Sequence, residues 1–531
     1  MIALAKRRST RHLGGIFLAV FAAQFAFGMW LNARGFQSSD SLYRSVNALQ
    51  VVHGSDPHLA AIGLVWMPLP TLLQLPWTAL FPLWPDVVSS GASASLTTSL
   101  AGGATAALLL ATGTRLGLSA RLGWAYALLV SANPMLLLYF ANGLSEGVSA
   151  PFLIGAVCCL TLFWHSGLRR YVGVAGVSLA LGFASLYEAV PLGAALFAAL
   201  VGGVIWDSEA RASAPQGRWR ALEGLGSVLL VPSFFVAALW LLANAVIMRD
   251  PLFFAFGPYS NHAQTKDAEG FVFDLAGDAL GTLAFVCERS APFLIPIGFV
   301  LLVRLLDGRF LRVNTVSVLL LSASVPFGLI APLVYGHASF GWLRFFIFVL
   351  FVAAGWGLYE VATSRRPRRA ASLVIAGWAL ALPATLLAMS KPAVGQEEHV
   401  VVKALVRGEG ARDVGHDNPL QYMRPVARNL EAGPLARGQR VLFDGAWPLL
   451  ALARPPQLLT VLIQASDRRF RAMLKEPRRH RVSYLLVQRP GTTSDALARA
   501  RPRLWAGKEP GFRLVKSFSE TPEHWRLYEV E

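Results

Sequence analysis

Cysteine and charge are both scarce in this sequence. Only three cysteines occur among 531 residues: Cys158 and Cys159 are adjacent inside an apolar run, and Cys287 stands alone. This number and spacing offer neither a disulfide framework nor a cysteine metal site. Charged residues make up 15% of the chain and hydrophobic residues 54%. Such a balance excludes a soluble enzyme and requires several membrane spans.

The sequence also lacks the short motifs that hold phosphorylated nucleotides. It contains no GxxxxGK[ST] run, no GxGxxG run and no DxD pair of the kind that holds a nucleotide sugar through a metal. We therefore do not expect a soluble nucleotide donor. The histidines are too scattered for a zinc spacing. We assign no cofactor, and a divalent metal stays possible without support from the sequence.

Long apolar runs dominate the first three quarters of the chain. A transmembrane helix needs about 20 residues, and eleven stretches reach or approach that length: 13 to 33, 92 to 113, 122 to 141, 146 to 165, 171 to 187, 189 to 206, 223 to 247, 289 to 306, 313 to 335, 342 to 362 and 370 to 390. With the basic N-terminus placed in the cytoplasm, the loops on that side carry arginine clusters, as the positive-inside rule requires. Topology thus explains much of the net charge of +17, and we expect no nucleic-acid partner.

Residues 64 to 85 are apolar, but we do not predict a transmembrane helix there. They contain five prolines, at positions 68, 70, 76, 82 and 85. Proline breaks a helix because it lacks the N–H donor and its ring clashes with the preceding turn. We predict short interfacial or re-entrant helices here. Eleven spans then place the C-terminus outside.

From Lys391 onward the pattern changes. Hydropathy falls, and apolar and polar residues alternate in RVLFDGAW, RVSYLLVQ, GFRLVKSF and HWRLYEVE, which is typical of strands. We predict a transmembrane domain over 1 to 390 and a soluble extracytoplasmic α/β domain over 391 to 531. The predicted fold class is an α-helical polytopic membrane protein with eleven transmembrane helices, additional juxtamembrane helices and this C-terminal domain. The richness of the chain in Ala, Leu and Arg suits a bacterium of high genomic GC content. We therefore expect a multi-pass protein of the bacterial cytoplasmic membrane.

Polar side chains gather on the predicted outer face. A charged side chain within a span costs at least about 2.5 to 3.5 kcal/mol on insertion scales, so each needs a reason. The candidate site residues on this face are Asp40, His53, Asp56, Asn142, Glu146, Tyr187, Glu188, Tyr259, His262, Lys266, Arg289, His337 and Arg344. Simpler roles compete: Asp40 can cap the helix that follows it, Glu146 can favour a helix dipole, and Arg344 can be an interfacial anchor.

Several segments, taken in order, carry a resemblance to a known family. The first outer loop opens with GFQSSDSLYR, and VWMPLPTLLQLP follows it. The later segments are ANGLSEGVSAP, ASLYEAVPL, WLLANAVIMRDPLFFAFGPYS, GWLRFFIFVL and the terminal WRLYEV. In order and sidedness they resemble the C-type glycosyltransferases, which include protein O-mannosyltransferases and aminoarabinose transferases. The resemblance spans nearly the whole chain.

The resemblance implies that a sugar moves from a polyprenyl-phosphate donor in the outer leaflet to an acceptor hydroxyl of a glycan, lipid or protein. In that family the first-loop acidic residue is the general base, and Asp40 is the matching position. Asp56 stays open as the alternative base. Many relatives show two adjacent acidic residues here, whereas Ser39 precedes Asp40 in this chain.

The remaining roles follow from the flow of charge in such a transfer. The leaving lipid phosphate gains negative charge, which Arg344 would stabilise together with Lys266 or Arg289. Glu146 and Glu188 would hold sugar hydroxyls or orient the cations. We therefore expect the acids and bases of distant segments, above all an aspartate and an arginine, to share one outward-facing pocket.

Two other functions stay open at this point. A carrier or flippase of lipid-linked saccharides would carry ionisable residues deep in several spans and at both faces, whereas here they gather on one side. A non-catalytic scaffold would bind glycan through its outer domain alone. The acids and bases on short outer loops argue against a scaffold, although loops are polar in general. We favour the enzyme.

Overall fold

A computed structural model describes the chain over residues 2–206, 215–257, 259–267, 278–414, 418–490, 495–519, 521 and 524–531. The chain divides into two compact units. Unit one consists of Met1–Gly28, Thr98–Ala243 and Ala268–Glu409. Unit two consists of Met29–Thr97, Asn244–Asp267 and Gly410–Glu531. The domain boundary that we predicted at residue 390 stays a prediction.

Most of the described residues up to 407 lie in helices. In chain order they are α1 Ile2–Ala33, α2 Ser39–His53, α3 Leu69–Leu72, α4 Leu75–Thr78, α5 Asp86–Ser89, α6 Ala92–Arg115, α7 Ala120–Ser131, α8 Pro134–Tyr139, α9 Ser145–Ser166, α10 Arg170–Phe183, α11 Ala189–Trp206, α12 Pro215–Met248, α13 Phe253–Phe256, α14 Asn261–Asp267, α15 Ala279–Leu306, α16 Val313–Val325, α17 Ala331–Tyr335, α18 Phe348–Thr363, α19 Pro367–Ser390 and α20 Glu398–Arg407. A π turn, Pro326–Ile330, joins α16 to α17, and 3-10 turns occur at Leu59–Ile62 and Leu343–Phe346.

Eight described helical segments are long and apolar enough to cross a bilayer: Thr10–Ala33, Ala92–Arg115, Ser145–Ser166, Gly217–Met248, Ala279–Leu306, Val313–Tyr335, Leu343–Thr363 and Pro367–Ser390. Two more predicted spans are the shorter apolar helices α10 and α11. The stretch 122 to 141 is broken, because Asn133 caps a new helix by accepting the Met135 N–H at 3.1 Å and Pro134 follows it. All eleven predicted stretches are therefore helical, and the polytopic helical fold class is confirmed.

The proline-rich stretch 64 to 85 forms short helices, as predicted. Helices α3 and α4 are four residues each. Pro70 and Pro76 lie in their first turns, where a missing N–H costs no intrahelical hydrogen bond. The next proline then prevents each helix from growing longer.

A buried set of charges joins α15 and α18 within unit one; we call it the Glu360 network. Glu360 is fully buried and accepts hydrogen bonds from Trp356 Nε1 at 2.9 Å and Arg309 Nη2 at 3.1 Å. It also forms an ion pair with Arg304, which is equally buried. Arg309 further donates to Asp307 Oδ2 at 2.9 Å. Both arginines are thus bound within the fold of unit one.

Unit two contains one five-stranded sheet. Its strands are β1 Arg440–Phe443, β2 Leu462–Gln464, β3 Val482–Gln488, β4 Phe512–Phe518 and β5 Trp525–Val530, in the order β2-β1-β3-β5-β4. The first three are parallel, and β5 is antiparallel to β3 and β4. The helices around it are α21 Pro419–Ala432, α22 Pro448–Leu452, α23 Phe470–Lys475 and α24 Ala496–Ala500, with 3-10 turns at Arg412–Val414, Leu435–Arg437 and Pro456–Thr460. The four predicted strands are confirmed, and the short β2 was missed.

Alternating side chains of the sheet enter two separate cores, as the two-residue period of a strand requires. Val441 and Phe443 lie in one core and Leu442 in the other. The first core also contains Leu42 and Val46 of α2. Helix α2 is therefore an integral part of the fold of the C-terminal sheet.

Candidate active site

Arg344 is the centre of a buried charged cluster in unit one. It lies in the 3-10 turn before α18, and its guanidinium stacks over the Trp342 ring at 4.1 Å. Nε is 3.5 Å from Glu146 Oε1, and Nη1 is 3.5 Å from Glu397 Oε2. Glu146 is in the first turn of α9, and Glu397 directly precedes α20. Carboxylates from two distant segments thus face one cation.

A third carboxyl, Glu398, belongs to the same cluster. It is fully buried at the start of α20, and Tyr139 of α8 donates its hydroxyl to Oε1 at 2.6 Å. Burial raises the pKa of Glu398, although the Tyr139 hydrogen bond and the charge of Arg344 act in the opposite direction. We call Tyr139, Glu146, Arg344, Glu397 and Glu398 the Arg344 cluster.

Gly147 lets the first turn of α9 approach the end of α8. A Cβ atom at this position would lie 2.1 Å from the Tyr139 carbonyl oxygen. No other residue fits such a distance without a shift of the backbone. The glycine therefore places Glu146 and Tyr139 side by side.

Arg289, a predicted phosphate contact, is bound to a turn that carries two acids. Its Nη2 donates to the Ala393 carbonyl at 2.5 Å, and the guanidinium stacks over Phe285 at 3.5 Å. The exposed Glu288 lies 3.8 Å from its Nη1. Since Ala393 lies between α19 and α20, this contact ties α15 to the turn that precedes Glu397.

The other candidates of unit one lie in turns. Asn142 accepts the backbone N–H two residues further on at 3.1 Å, an Asx turn that leads into α9. Tyr187 accepts a hydrogen bond from Trp240 Nε1 at 3.2 Å, and the half-buried Glu188 follows it in the turn between α10 and α11. His337 follows α17 in the left-handed region, with φ of 54°.

Asp40 lies in unit two, in the first turn of α2, and is half-buried. The N-cap position of that helix belongs to Ser38. Asp40 is therefore not the cap residue, and as an acid in the first turn it suits the dipole of α2. At the other end of α2, the half-buried His53 packs beside Phe81, with 6.1 Å between ring centroids.

Asp56, the alternative base, is held by an arginine from far along the chain. Arg468 donates from Nη2 to Oδ1 at 2.6 Å and from Nε to Oδ2 at 2.9 Å, and its backbone N–H also donates to Oδ2 at 3.1 Å. These hydrogen bonds hold the pKa of Asp56 well below its usual range. Both residues belong to unit two. The contact fastens the first loop to the segment after β2.

The candidates near residue 260 also belong to unit two. Tyr259 donates its hydroxyl to Asp444 Oδ2 at 2.8 Å, and the Ala496 N–H donates to the same oxygen at 2.7 Å. Burial raises the pKa of Asp444. His262 is exposed and its ring lies against that of Phe256, with centroids 5.9 Å apart. The Lys266 side chain lies outside the described part of the chain.

Four residues that take part in these contacts were not among the candidates predicted from the sequence: Tyr139, Glu397, Glu398 and Asp444. The adjacent acids in GQEEHV were the one local signal, and they fell in a stretch that we assigned to the soluble domain. Within the described ranges, no group of three or more His, Cys, Asp or Glu side chains is placed to hold a metal ion.

Solved structures match nearly the whole chain, and two states of one protein are among them. The first is ArnT from Cupriavidus metallidurans bound to undecaprenyl phosphate, which shares 15% identity and a TM-score of 0.54 over 97% of both chains. The chain has the ArnT fold. The apo state of ArnT matches with 12% identity and a TM-score of 0.51, over 96% of this chain and 97% of ArnT.

The ArnT fold agrees with the fold that the sequence resemblance implied. At 15% identity the likeness concerns the fold alone. No protein-family model and no curated protein matches the sequence.

Proposed function

We propose that this protein is a glycosyltransferase that moves a sugar from a polyprenyl-phosphate donor to an acceptor hydroxyl. The observation that carries the proposal is the shared fold, over 97% of both chains, with ArnT crystallised with undecaprenyl phosphate. A polyprenyl phosphate is what such a donor becomes when its sugar leaves. A polytopic membrane protein with buried acid and guanidinium groups suits this chemistry. The reaction is proposed for the outer face of the bacterial cytoplasmic membrane, with the N-terminus in the cytoplasm.

Asp40 is the proposed general base. It takes the proton of the acceptor hydroxyl as that oxygen attacks the anomeric carbon, a contribution of about 10² to 10⁴ in rate. Asp56 is the weaker candidate because Arg468 occupies both of its oxygens and lowers its pKa. A carboxylate with a lowered pKa accepts a proton less readily.

Arg344 is the proposed counter-charge for the leaving phosphate. As the bond between the anomeric carbon and the phosphate oxygen breaks, the electron pair goes to the lipid phosphate, and a preorganised guanidinium stabilises that charge. Glu146 and Glu397 orient the guanidinium from 3.5 Å each. Arg289 has a positioning role, since it holds the turn before Glu397. That Asp40 and Arg344 act on the same substrate stays a prediction.

The test is transfer in proteoliposomes loaded with a panel of defined polyprenyl-phosphate sugars. Mass analysis of cell-envelope glycans with and without the gene selects the donors and acceptors for the panel. We expect release of polyprenyl phosphate together with a glycosylated acceptor. Asp40→Asn should lower kcat by about 10²-fold or more, whereas Asp56→Asn, its matched control, should keep most of the activity.

The opposite result would contradict the assignment. If Asp40→Asn folds normally and transfers sugar as fast as the wild type, Asp40 is not the base. If no donor of the panel is turned over while the wild-type protein is folded, the glycosyltransferase proposal itself fails.

A further inference from the structure

A small cleft lies where α19 meets α20 in unit one. It has a volume of about 250 Å³, and its lining includes Ser390, His399, Val402, Lys403, Val406 and Arg407. Helix α19 is apolar enough to span a membrane and ends at Ser390. The cleft therefore lies at the end of a span, at the level where lipid headgroups begin.

The basic residues of the cleft form one stripe. His399, Lys403 and Arg407 follow one another at intervals of four, so they lie on one face of α20. His399 Nδ1 is 3.0 Å from the carbonyls of Gly395 and Gln396. This contact fixes the ring, and Nε2 is the nitrogen that can meet a ligand.

An exposed apolar side chain lies beside the basic stripe. Val406, three residues after Lys403 on the same face of α20, lines the cleft and is 81% exposed. A helix that carries basic residues beside exposed apolar ones is typical of segments that lie in the membrane interface. Such a helix binds the interface both by apolar burial and by attraction to anionic lipids.

The size of the cleft restricts its occupant. Pockets for drug-sized ligands have about 300 to 1,000 Å³, so a cleft of about 250 Å³ suits a small group such as a single headgroup. Two cationic side chains four residues apart suit a phosphate, which accepts charge-assisted hydrogen bonds. Free phosphate has no apolar part, so it would gain nothing from the exposed apolar side chain beside the basic stripe. The acyl chain of a lipid would bury that side chain.

We propose that this cleft binds the phosphate headgroup of an anionic membrane lipid. Lys403 and Arg407 donate to the phosphate, and an acyl chain lies against Val406. The site is separate from the sugar transfer proposed above. Because Glu398 begins the same helix, a bound headgroup would also brace the helix that places this acid.

The experiment uses the purified full-length protein, delipidated in a neutral detergent. Short-chain phosphatidylglycerol, phosphatidylcholine and inorganic phosphate are titrated separately, with the melting temperature and native mass spectra as readouts. We expect saturable binding of phosphatidylglycerol that raises the melting temperature. The double substitution Lys403→Gln with Arg407→Gln should weaken the apparent affinity by about tenfold or more, because it removes charge-assisted hydrogen bonds.

A matched control is the double substitution Arg424→Gln with Arg428→Gln. These arginines are exposed on α21 at the same spacing of four, so the change in net charge is the same. An unchanged affinity for phosphatidylglycerol in this control supports binding in the cleft. If both double variants lose affinity equally, or if the cleft variant loses none, the proposal is wrong.

A third variant distinguishes binding of a lipid from binding of free phosphate. It leaves both cationic side chains of the cleft in place. Val406→Ser removes an exposed apolar contact without disturbing a core. It should weaken binding of phosphatidylglycerol and leave inorganic phosphate unaffected. If inorganic phosphate stabilises the wild-type protein as much as phosphatidylglycerol at equal concentration, the lipid assignment is wrong.

Discussion

Glu360→Gln tests whether the Glu360 network stabilises unit one. The substitution keeps the size of the side chain and removes its charge. The amide oxygen of Gln can still accept a hydrogen bond. The amide nitrogen, however, is a donor and faces an arginine, which has donors only. Arg304 loses its counter-ion, while Arg309 keeps Asp307 at 2.9 Å.

The magnitude follows from the burial of these groups. Removing one partner of a buried ion pair costs about 3 to 5 kcal/mol, because the remaining charge stays desolvated. Because Arg309 keeps its contact with Asp307, we expect the loss in the free energy of unfolding to lie near the lower end of this range, at about 3 kcal/mol. With about 2.1 cal/mol/K of unfolding entropy per residue, a cooperative unit of about 300 residues would melt about 5 °C earlier.

The native cysteines supply the assay. Cys158 and Cys159 are buried in α9, whereas Cys287 is exposed. In a Cys287→Ser background, a thiol-reactive dye therefore reports the temperature at which unit one opens. The matched control is Glu223→Gln, the same chemical change at an exposed position of α12, which should not alter the melting temperature.

Two results would refute the reasoning. One is a Glu360→Gln variant that melts at the wild-type temperature, which would mean that the network is solvated. The other concerns the double substitution Arg304→Met with Glu360→Leu. Because it removes both charges of the pair, it should recover part of the loss; a double variant less stable than the single one would contradict the account.

Three further predictions concern the Arg344 cluster and the sheet. Tyr139→Phe removes the donor to the buried Glu398 and should lower the free energy of unfolding by about 1 to 3 kcal/mol in the same thiol assay; an unchanged value would mean that this hydrogen bond is absent. Gly147→Ala should reduce the yield of folded protein, since its Cβ meets a carbonyl oxygen, whereas Gly224→Ala, with nothing within 4 Å, should not. Burial raises the pKa of Asp495 from 3.8 to about 6, so the folded chain binds this proton more tightly than the unfolded chain. The resulting stabilisation is complete below pH 3.8 and is lost as the pH rises through about 6, by up to about 3 kcal/mol. Melting curves of the wild type and of Asp495→Asn, recorded between pH 4 and pH 7, measure this loss of stability. If the difference between the two melting temperatures does not change with pH, the prediction is wrong.

Local signals in the sequence were sufficient for most of the fold. The eleven apolar stretches and the four alternating segments became helices and strands because hydropathy and side-chain period depend on neighbouring residues only. The break at Asn133 and Pro134 has a clear local cause, but the apolar composition of 122 to 141 concealed it. Strand β2 has three residues, which is too short for a period to be visible.

The candidate site could be predicted only in part. Glu146 and Arg344 were both expected, and the structure brings them to 3.5 Å. Glu397 and Glu398 were missed because residues after 390 were assigned to a separate soluble domain. The partner of Asp56 lies 412 residues away in Arg468, and no periodicity or motif of one sequence records such a pairing. Contacts of this kind depend on tertiary packing alone.

The shared core of α2 and the sheet has a consequence for biogenesis. The ribosome completes Leu42 and Val46 long before it reaches Val441, with which they share a core. At about 5 to 20 residues per second, the roughly 400 intervening residues take about 20 to 80 s to synthesise. Throughout that interval the apolar face of α2 needs a temporary cover, which a chaperone or the bilayer surface can supply. A nascent chain that stops before β1 never buries this face, and it is therefore a natural target for quality-control proteases.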